Sequence, residues 1–452
     1  MNNKITLTTG SLWKNIFLFS LPLMASNILQ VLFNMTDIAV VGTFSGPEAL
    51  GSVGSTATLV ALFTTVMIGF ASAANILTAL YIGACDRKMV RKTVHTGAIL
   101  CLIAGFVLLF IGEVFGRLIL EILNTKENLI DGASLYIRIY FLGMPALAIY
   151  NFGNAVLSAS GDTKRPLKYL SISGLINIIL NLVFVCIFKM SVAGVAFASI
   201  IAQYVSAVLI LNTLFKDKAD YTLSVKEFKL DKSIAVSFLS LGLPAGIQNA
   251  IFQIANLFIQ AGVNSFSPVV VEGNSAASNA DALVYDAMAA FYAACTSFMS
   301  QNYGAGNRKR TLKTYLVCLA YSFLTGLIMG LLLVVFSKEF LSLFTRDADV
   351  IHEGMYRLTI MGLSYCVSAF MDCTIAASRS LGKSAVPMVV VIMGSCVFRV
   401  IWMYTVFAHF QTISSIYLLY IFSWIITAFA EILYFVYIWK KSKTAFSMQG
   451  NF

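Results

Sequence analysis

Asn27, Gln30, Asn34 and Asp37 lie in one long apolar run, spaced 3, 4 and 3 residues apart. That spacing places all four on one face of a helix. Carboxylate, amide and hydroxyl oxygens are what a small hard cation or a proton relay needs. Further along, Asn177 and Asn181 stand one helical turn apart, and Ser199 follows. Together with Asp37 these oxygens could hold Na⁺, and a lone carboxylate among amides could equally carry H⁺. Asn34 is the nearest further amide on the Asp37 face. An ionised carboxylate at the centre of a membrane helix costs roughly 2.5 to 3.5 kcal/mol even on the lenient insertion scale, whereas interhelical glue needs only amides.

A second polar set occupies the other half of the chain. Asn249, Gln253, Asn256 and Gln260, spaced 4, 3 and 4, repeat the face without its acid. Asp372 is a second acid within an apolar run, and its counterpart in the first half is Asn151. Asp372 with Tyr365 and Asn256 is the expected ion-coupling group of that half. Gln30, Gln253, Asn256, Tyr365 and Asn151 are the expected substrate contacts. Arg399 and Glu431 also fall in apolar runs, and pairing of Arg399 with Glu431 or Asp372 is the expected structural arrangement. Arg138 and Arg357, at matching helix starts, are expected to snorkel to the interface. Asp281 and Asp286 are expected at a solvated helix end.

These residues must be positioned by membrane helices. Of 452 residues, 59% are hydrophobic and 12% charged, against roughly 25% charged in a soluble domain. Twelve apolar segments approach the length that spans a bilayer. They run approximately over 13–41, 51–82, 94–116, 133–158, 167–188, 192–215, 234–264, 280–303, 314–336, 354–379, 384–408 and 413–439. The first lacks a signal-peptide pattern and is expected to remain in the mature chain. Of 31 basic residues, 23 fall in segments on one side, including Lys4 and Lys443, and five on the other. By the positive-inside tendency both termini are cytoplasmic, in the cell membrane. The net charge of +10 is spread over these short loops, which excludes a nucleic-acid face.

The chain also repeats itself at an offset of about 221 residues. Gly83-Ala84-Cys85-Asp86-Arg87-Lys88 returns as Gly304-Ala305-Gly306-Asn307-Arg308-Lys309. The interval Gly161 to Pro166 returns as Gly382 to Pro387, and Pro22 as Pro244. Six spans per half make the copies parallel repeats. The expected architecture is all-α and integral to the membrane, with two six-helix bundles around a central cleft. Helices 1–6 form an N-lobe (1–215), 216–232 a cytoplasmic linker, and helices 7–12 a C-lobe (233–452). Matched prolines inside the first and seventh spans suggest matched hinges. Gly112/Gly116 and Gly326/Gly330 suggest close helix packing.

Enzyme chemistry finds no support in these residues. Gly382-Lys383-Ser384 looks like the end of a phosphate-binding loop, but Ala377 stands where its leading glycine is required. The three histidines are scattered, and the eight cysteines show no metal spacing.

Twelve spans in two parallel sixes, Pro22, and Asn34-Met35-Thr36-Asp37 with Gly42 after it resemble the multidrug and toxic compound extrusion (MATE) family. So do Gly161-Asp162-Thr163-Lys164-Arg165-Pro166 and Gln301-Asn302-Tyr303-Gly304-Ala305-Gly306. The resemblance covers nearly the whole chain and is strongest to Gram-positive bacterial branches. It implies an antiporter that exports organic, often cationic, small molecules against H⁺ or Na⁺ by alternating access. It implies no other cofactor and a monomer in the bilayer. Asp37 falls at the family's first-helix acid, Asp372 at a C-lobe acid of one branch, and Gln253 near that branch's seventh-helix Glu. Another branch reads Asn-x-x-x-Asp on the fifth helix, where this chain has Asn177 and Asn181. Flipping of a lipid-linked oligosaccharide or other amphiphile is the alternative that related folds suggest.

Overall fold

Inside a bilayer the backbone must satisfy its own polar groups, which leaves helices or closed barrels. This chain takes the helical route. The computed structural model describes residues 5–123 and 125–442, and no strand occurs among them. Lys4 and Lys443, counted in the charge bias, lie outside the described residues.

The helices are α1 (Leu12–Gly83), α2 (Arg87–Ile122), α3 (Glu127–Phe141), α4 (Met144–Ala159), α5 (Lys164–Asn181), α6 (Ser191–Lys216) and α7 (Lys232–Val263). They continue with α8 (Pro268–Gly304), α9 (Arg308–Val335), α10 (Ser337–Leu341), α11 (Ala348–Gly362) and α12 (Tyr365–Ser380). The last two are α13 (Ala385–Phe410) and α14 (Ile413–Lys441). At about 1.5 Å per residue, α1 would be roughly three and a half bilayer cores long. It breaks at Gly46, whose φ of 85° and ψ of 177° are non-helical, so α1 holds two spans. The pairs α3–α4 and α11–α12 are single spans bent by 49° and 47°. Nine long apolar helices, the two bent pairs and the break in α1 give twelve crossings among the described residues.

The sequence repeat is a repeat of backbone geometry. Cys85 and Gly306 both take positive φ, 57° and 68°. The next residue caps a helix in each copy: Asp86 accepts from the Met89 N–H, and Asn307 from the Arg310 N–H. Gly161 and Gly382 likewise take φ of 90° and 80° before α5 and α13. A π-helical turn at Leu182–Ile187 returns at Met403–Phe407. The glycine pairs also do what their spacing suggests. A side chain at Gly326 would press on the Cys366 backbone, and one at Gly116 on Ile137.

Two compact units form. The first is Ala25–Ala250; the second is Thr6–Met24 with the chain from Ile251 onward. The start of α1 thus groups with the later helices, and the start of α7 with the earlier ones. Pro22 and Pro244 lie within six residues of these crossover points. The charged connector before α7 is fastened within the first unit. Arg91 pairs with Glu227 at 3.1 Å and Lys92 with Asp231 at 2.7 Å. Arg165 binds Asp217 at 2.7 Å and also contacts Asp162, while the Ser224 N–H donates to His95 at 2.9 Å.

Candidate functional site

In the first unit, Asp37 is half-buried on α1 and both its oxygens are engaged. The Asn181 amide donates to Oδ1 at 2.5 Å, and the Ser199 hydroxyl to Oδ2 at 3.1 Å. The Asn181 amide also donates to Asn177 Oδ1 at 3.2 Å, and the Asn177 amide to Ser199 at 3.4 Å. Asn177, Asn181 and Ser199 are buried. The i, i+4 spacing on α5 turns both amides to one side, and the π-helical turn begins directly after Asn181. Asn181 Oδ1 is buried and accepts no hydrogen bond among the described residues. A buried acceptor normally has a partner, so this oxygen is available to an incoming cation or proton donor. One carboxylate, two amides and a hydroxyl form a donor set that suits a hard cation.

Two tyrosines absent from the sequence-based expectations complete the surroundings. Tyr136 and Tyr140 on α3 stack at 5.7 Å with 17° between their planes. Both lie within electrostatic reach of Asp37. Their i, i+4 spacing is the signal that could have found them. Gln30 and Asn34 are exposed on α1 and, among the described residues, hydrogen-bond to none of this group. Asn151 uses its amide on the Leu147 carbonyl at 3.0 Å.

In the second unit the expected set of Asp372, Tyr365 and Asn256 separates into different contacts. Asp372, half-buried on α12, has Tyr292 and Arg379 as its electrostatic neighbours. Tyr365 is fully buried and donates to Asp281, which pairs with Arg357 at 2.5 Å. Asn256 accepts from Arg399 at 2.9 Å. Gln253 is half-buried on α7.

Three structural expectations are corrected. Arg399 meets neither Glu431 nor Asp372; its partners are Asn256 and Ser423. Glu431 is fully buried with neither oxygen hydrogen-bonded among the described residues, and Arg379 is its main cationic neighbour. Arg357 does not snorkel, because Asp281 lies well inside α8 and holds it in the interior. That also removes Asp281 from a solvated helix end. Charge neutralisation at depth, where water is scarce, decides the Arg357–Asp281 case.

The MatE family model matches residues 22–183 and again 244–405, together most of the chain. The chain belongs to the MatE family. The two matches begin at Pro22 and Pro244, the prolines that mark the internal repeat. A probable multidrug resistance protein of Bacillus subtilis, YpnP, is 29% identical over 360 residues, covering 79% of this chain and 80% of that protein. The probable multidrug resistance protein NorM of Thermotoga maritima is 24% identical over 416 residues, covering 88% of this chain and 86% of the relative. An FAD transporter of Shewanella oneidensis is 20% identical over 374 residues, 81% of each chain. A crystal structure of a MATE protein in a bent conformation shares the fold with a TM-score of 0.90 at 21% identity, covering 99% of this chain and 100% of that one. As a MatE member this chain is a multispanning membrane transporter of small molecules.

Proposed function

We propose that this MatE protein exports organic compounds, cationic ones among them, across the cell membrane in exchange for H⁺ or Na⁺ bound at Asp37. The observation that carries this reading is the contact of Asp37 with Asn181, Asn177 and Ser199 inside the first unit. The names of the multidrug resistance relatives in Bacillus subtilis and Thermotoga maritima agree with it. The charge bias supports cytoplasmic termini, and a single chain suffices for the scheme.

The chemistry follows from the valence of the carboxylate. An ionised Asp37 accepts from both Asn181 and Ser199. A protonated one becomes a donor at one oxygen and must release or reverse one of those bonds. Na⁺ would draw the same oxygens, with Asn181 Oδ1, toward itself. Either ion therefore changes how α1 is tied to α5 and α6. Because α1 carries Pro22 and a break at Gly46, a changed tie at Asp37 can bend the helix rather than shift it whole. Ion binding then favours the conformation that releases cargo outside, and a ligand moves such an equilibrium only through its differential affinity. The membrane potential supplies about 2.3 kcal/mol per charge per 100 mV, enough for about a 50-fold gradient of a neutral solute.

The first unit is the better coupling site because Tyr365 and Asn256 are bonded away from Asp372. The test is counterflow of a cationic dye in reconstituted vesicles, with H⁺ and Na⁺ gradients imposed separately. One of the two gradients should drive efflux. Efflux that ignores both would refute ion exchange.

A further inference from the structure

Arg399 is a feature of the second unit that exchange at Asp37 does not use and that ordinary packing does not account for. It lies on Phe398–Trp402, a short α-helical stretch between π-helical segments at Ile392–Val397 and Met403–Phe407. Such wide turns in a helix are frequent at functional sites. Its side chain is 1% exposed. Nε donates to Ser423 at 3.1 Å and Nη1 to Asn256 at 2.9 Å. The rings of Phe252 and Tyr420 each lie 4.8 Å from the guanidinium carbon. Nη2 is buried and, among the described residues, meets no acceptor. No carboxylate of the described residues stands within ion-pair distance.

Arg357 of the same unit shows the contrast. It is equally buried, yet it holds the Asp281 carboxylate. A guanidinium removed from water needs a counter-charge. Two neutral acceptors and two ring faces offset only part of that cost. What is missing is an anion, and the free edge of Nη1 and Nη2 has the fork geometry that suits a carboxylate or phosphate. Phe252, Asn256 and Tyr420 are only half-buried, so the guanidinium sits one side-chain layer beneath accessible surface. If Asn256 swings aside, both Nη atoms are presented between aromatic walls.

We propose that Arg399 docks a carboxylate or phosphate on the exported compound, next to a flat apolar body held by Phe252 and Tyr420. The proposal rests on the transport reading above and gives its cargo a preference for compounds that carry an acidic group, zwitterions included, over simple cations of the same shape.

The test uses a rhodamine bearing a free carboxylate and its methyl ester, which differ only in the acidic group. The full-length protein is reconstituted in phosphatidylethanolamine–phosphatidylcholine vesicles, and the ratio of acid to ester counterflow is measured. The wild type should favour the acid by about ten-fold, the lower end of what hydrogen bonds to a charged group contribute. Arg399→Gln should bring the ratio near one, and Arg399→Lys should keep part of it. A wild-type ratio near one, or a preference that survives in Arg399→Gln, overturns the proposal. If Arg399→Gln does not fold, the wild type alone decides through fluorescence in detergent. Trp424 lies 5.9 Å from Tyr420, so acid-selective quenching supports the site and equal quenching refutes it. Selective quenching with no counterflow of either dye would sink the transport reading and keep the anion site. A preference that disappears only when phosphatidylglycerol is added would assign Arg399 to lipid phosphate and overturn the cargo assignment.

Discussion

Asn181 donates its side-chain amide to Asp37 at 2.5 Å, although 144 positions separate the two residues. The same amide nitrogen also donates to Asn177, so one side chain ties α1 to α5. Asn181→Ala removes that donor together with the free Oδ1. Hydrogen bonds to charged groups contribute about 1.5 to 3 kcal/mol. The ion concentration for half-maximal dye efflux should therefore shift by roughly ten-fold or more, with insertion unchanged. An ion titration of efflux checks this, and an unshifted curve would remove Asn181 from the site.

Arg357 and Asp281 form the buried pair of the second unit, with side chains 5% and 23% exposed. Arg357→Met leaves the Asp281 carboxylate without its cation and, among the described residues, held only by the Tyr365 hydroxyl. Removing one partner of such a pair costs about 3 to 5 kcal/mol. Thermal unfolding in detergent should show a large fall in stability. Adding Asp281→Leu should restore part of it, and a double variant as unstable as the single would contradict this account.

Much of the fold was legible because the sequence repeats positions at which local geometry is demanding. Asp86 and Asn307 are side-chain caps, and Gly161 and Gly382 need a positive φ. Those requirements survive translation from one copy to the other. The grouping of Asp37 with Asn177, Asn181 and Ser199 was legible as oxygens able to complete a cation site and through the family resemblance, whereas Asn34, expected with them, is exposed and, among the described residues, bonds to none of them. The second unit was not. Spacing reveals which residues share a helix face but not which neighbouring helix that face meets. Arg399 could have met Glu431 or Asp372 by depth alone; the rotation of α13 and α7 gave it Asn256 instead. Tyr365 and Asp372 share α12, yet Asp281 of α8 takes the tyrosine. Nothing along the chain marks Arg357 as the partner of Asp281 across 76 positions.

Gly46 tests the break in α1. Its φ of 85° and ψ of 177° are open almost only to glycine, and a methyl group at this position would have no atom within 4 Å. Gly46→Ala should cost about 1 to 3 kcal/mol through backbone strain. Gly46→Val should cost at least as much, because a β-branched side chain tolerates a positive φ less well. Melting temperatures of the two variants in detergent check the point, and a neutral Gly46→Ala would mean that the break tolerates other backbone angles.

Asp231 supplies a pH signature outside the membrane spans. Lys92 and the N–H groups of Ile234 and Ser233 hold its carboxyl below the usual carboxylate range. A group depressed in the folded state adds stability above its unfolded pKa, near about 4, and loses it as pH falls through the folded value. Wild-type stability should drop on acidification below about pH 4. Asp231→Asn should flatten that limb by lowering stability at neutral pH toward the value both proteins share in acid. Melting curves across this range measure it, and identical acid limbs would exclude Asp231 as a contributor.

The central claim is that the carboxylate on α1 is where the driving ion binds. Its most direct test is ion-gradient-driven dye efflux by purified Asp37→Asn in vesicles, beside wild type inserted to the same level. The asparagine keeps the shape and cannot take up a proton or neutralise Na⁺, so driven efflux should vanish while the protein remains folded. Efflux at the wild-type rate would show that the exchange reaction runs elsewhere.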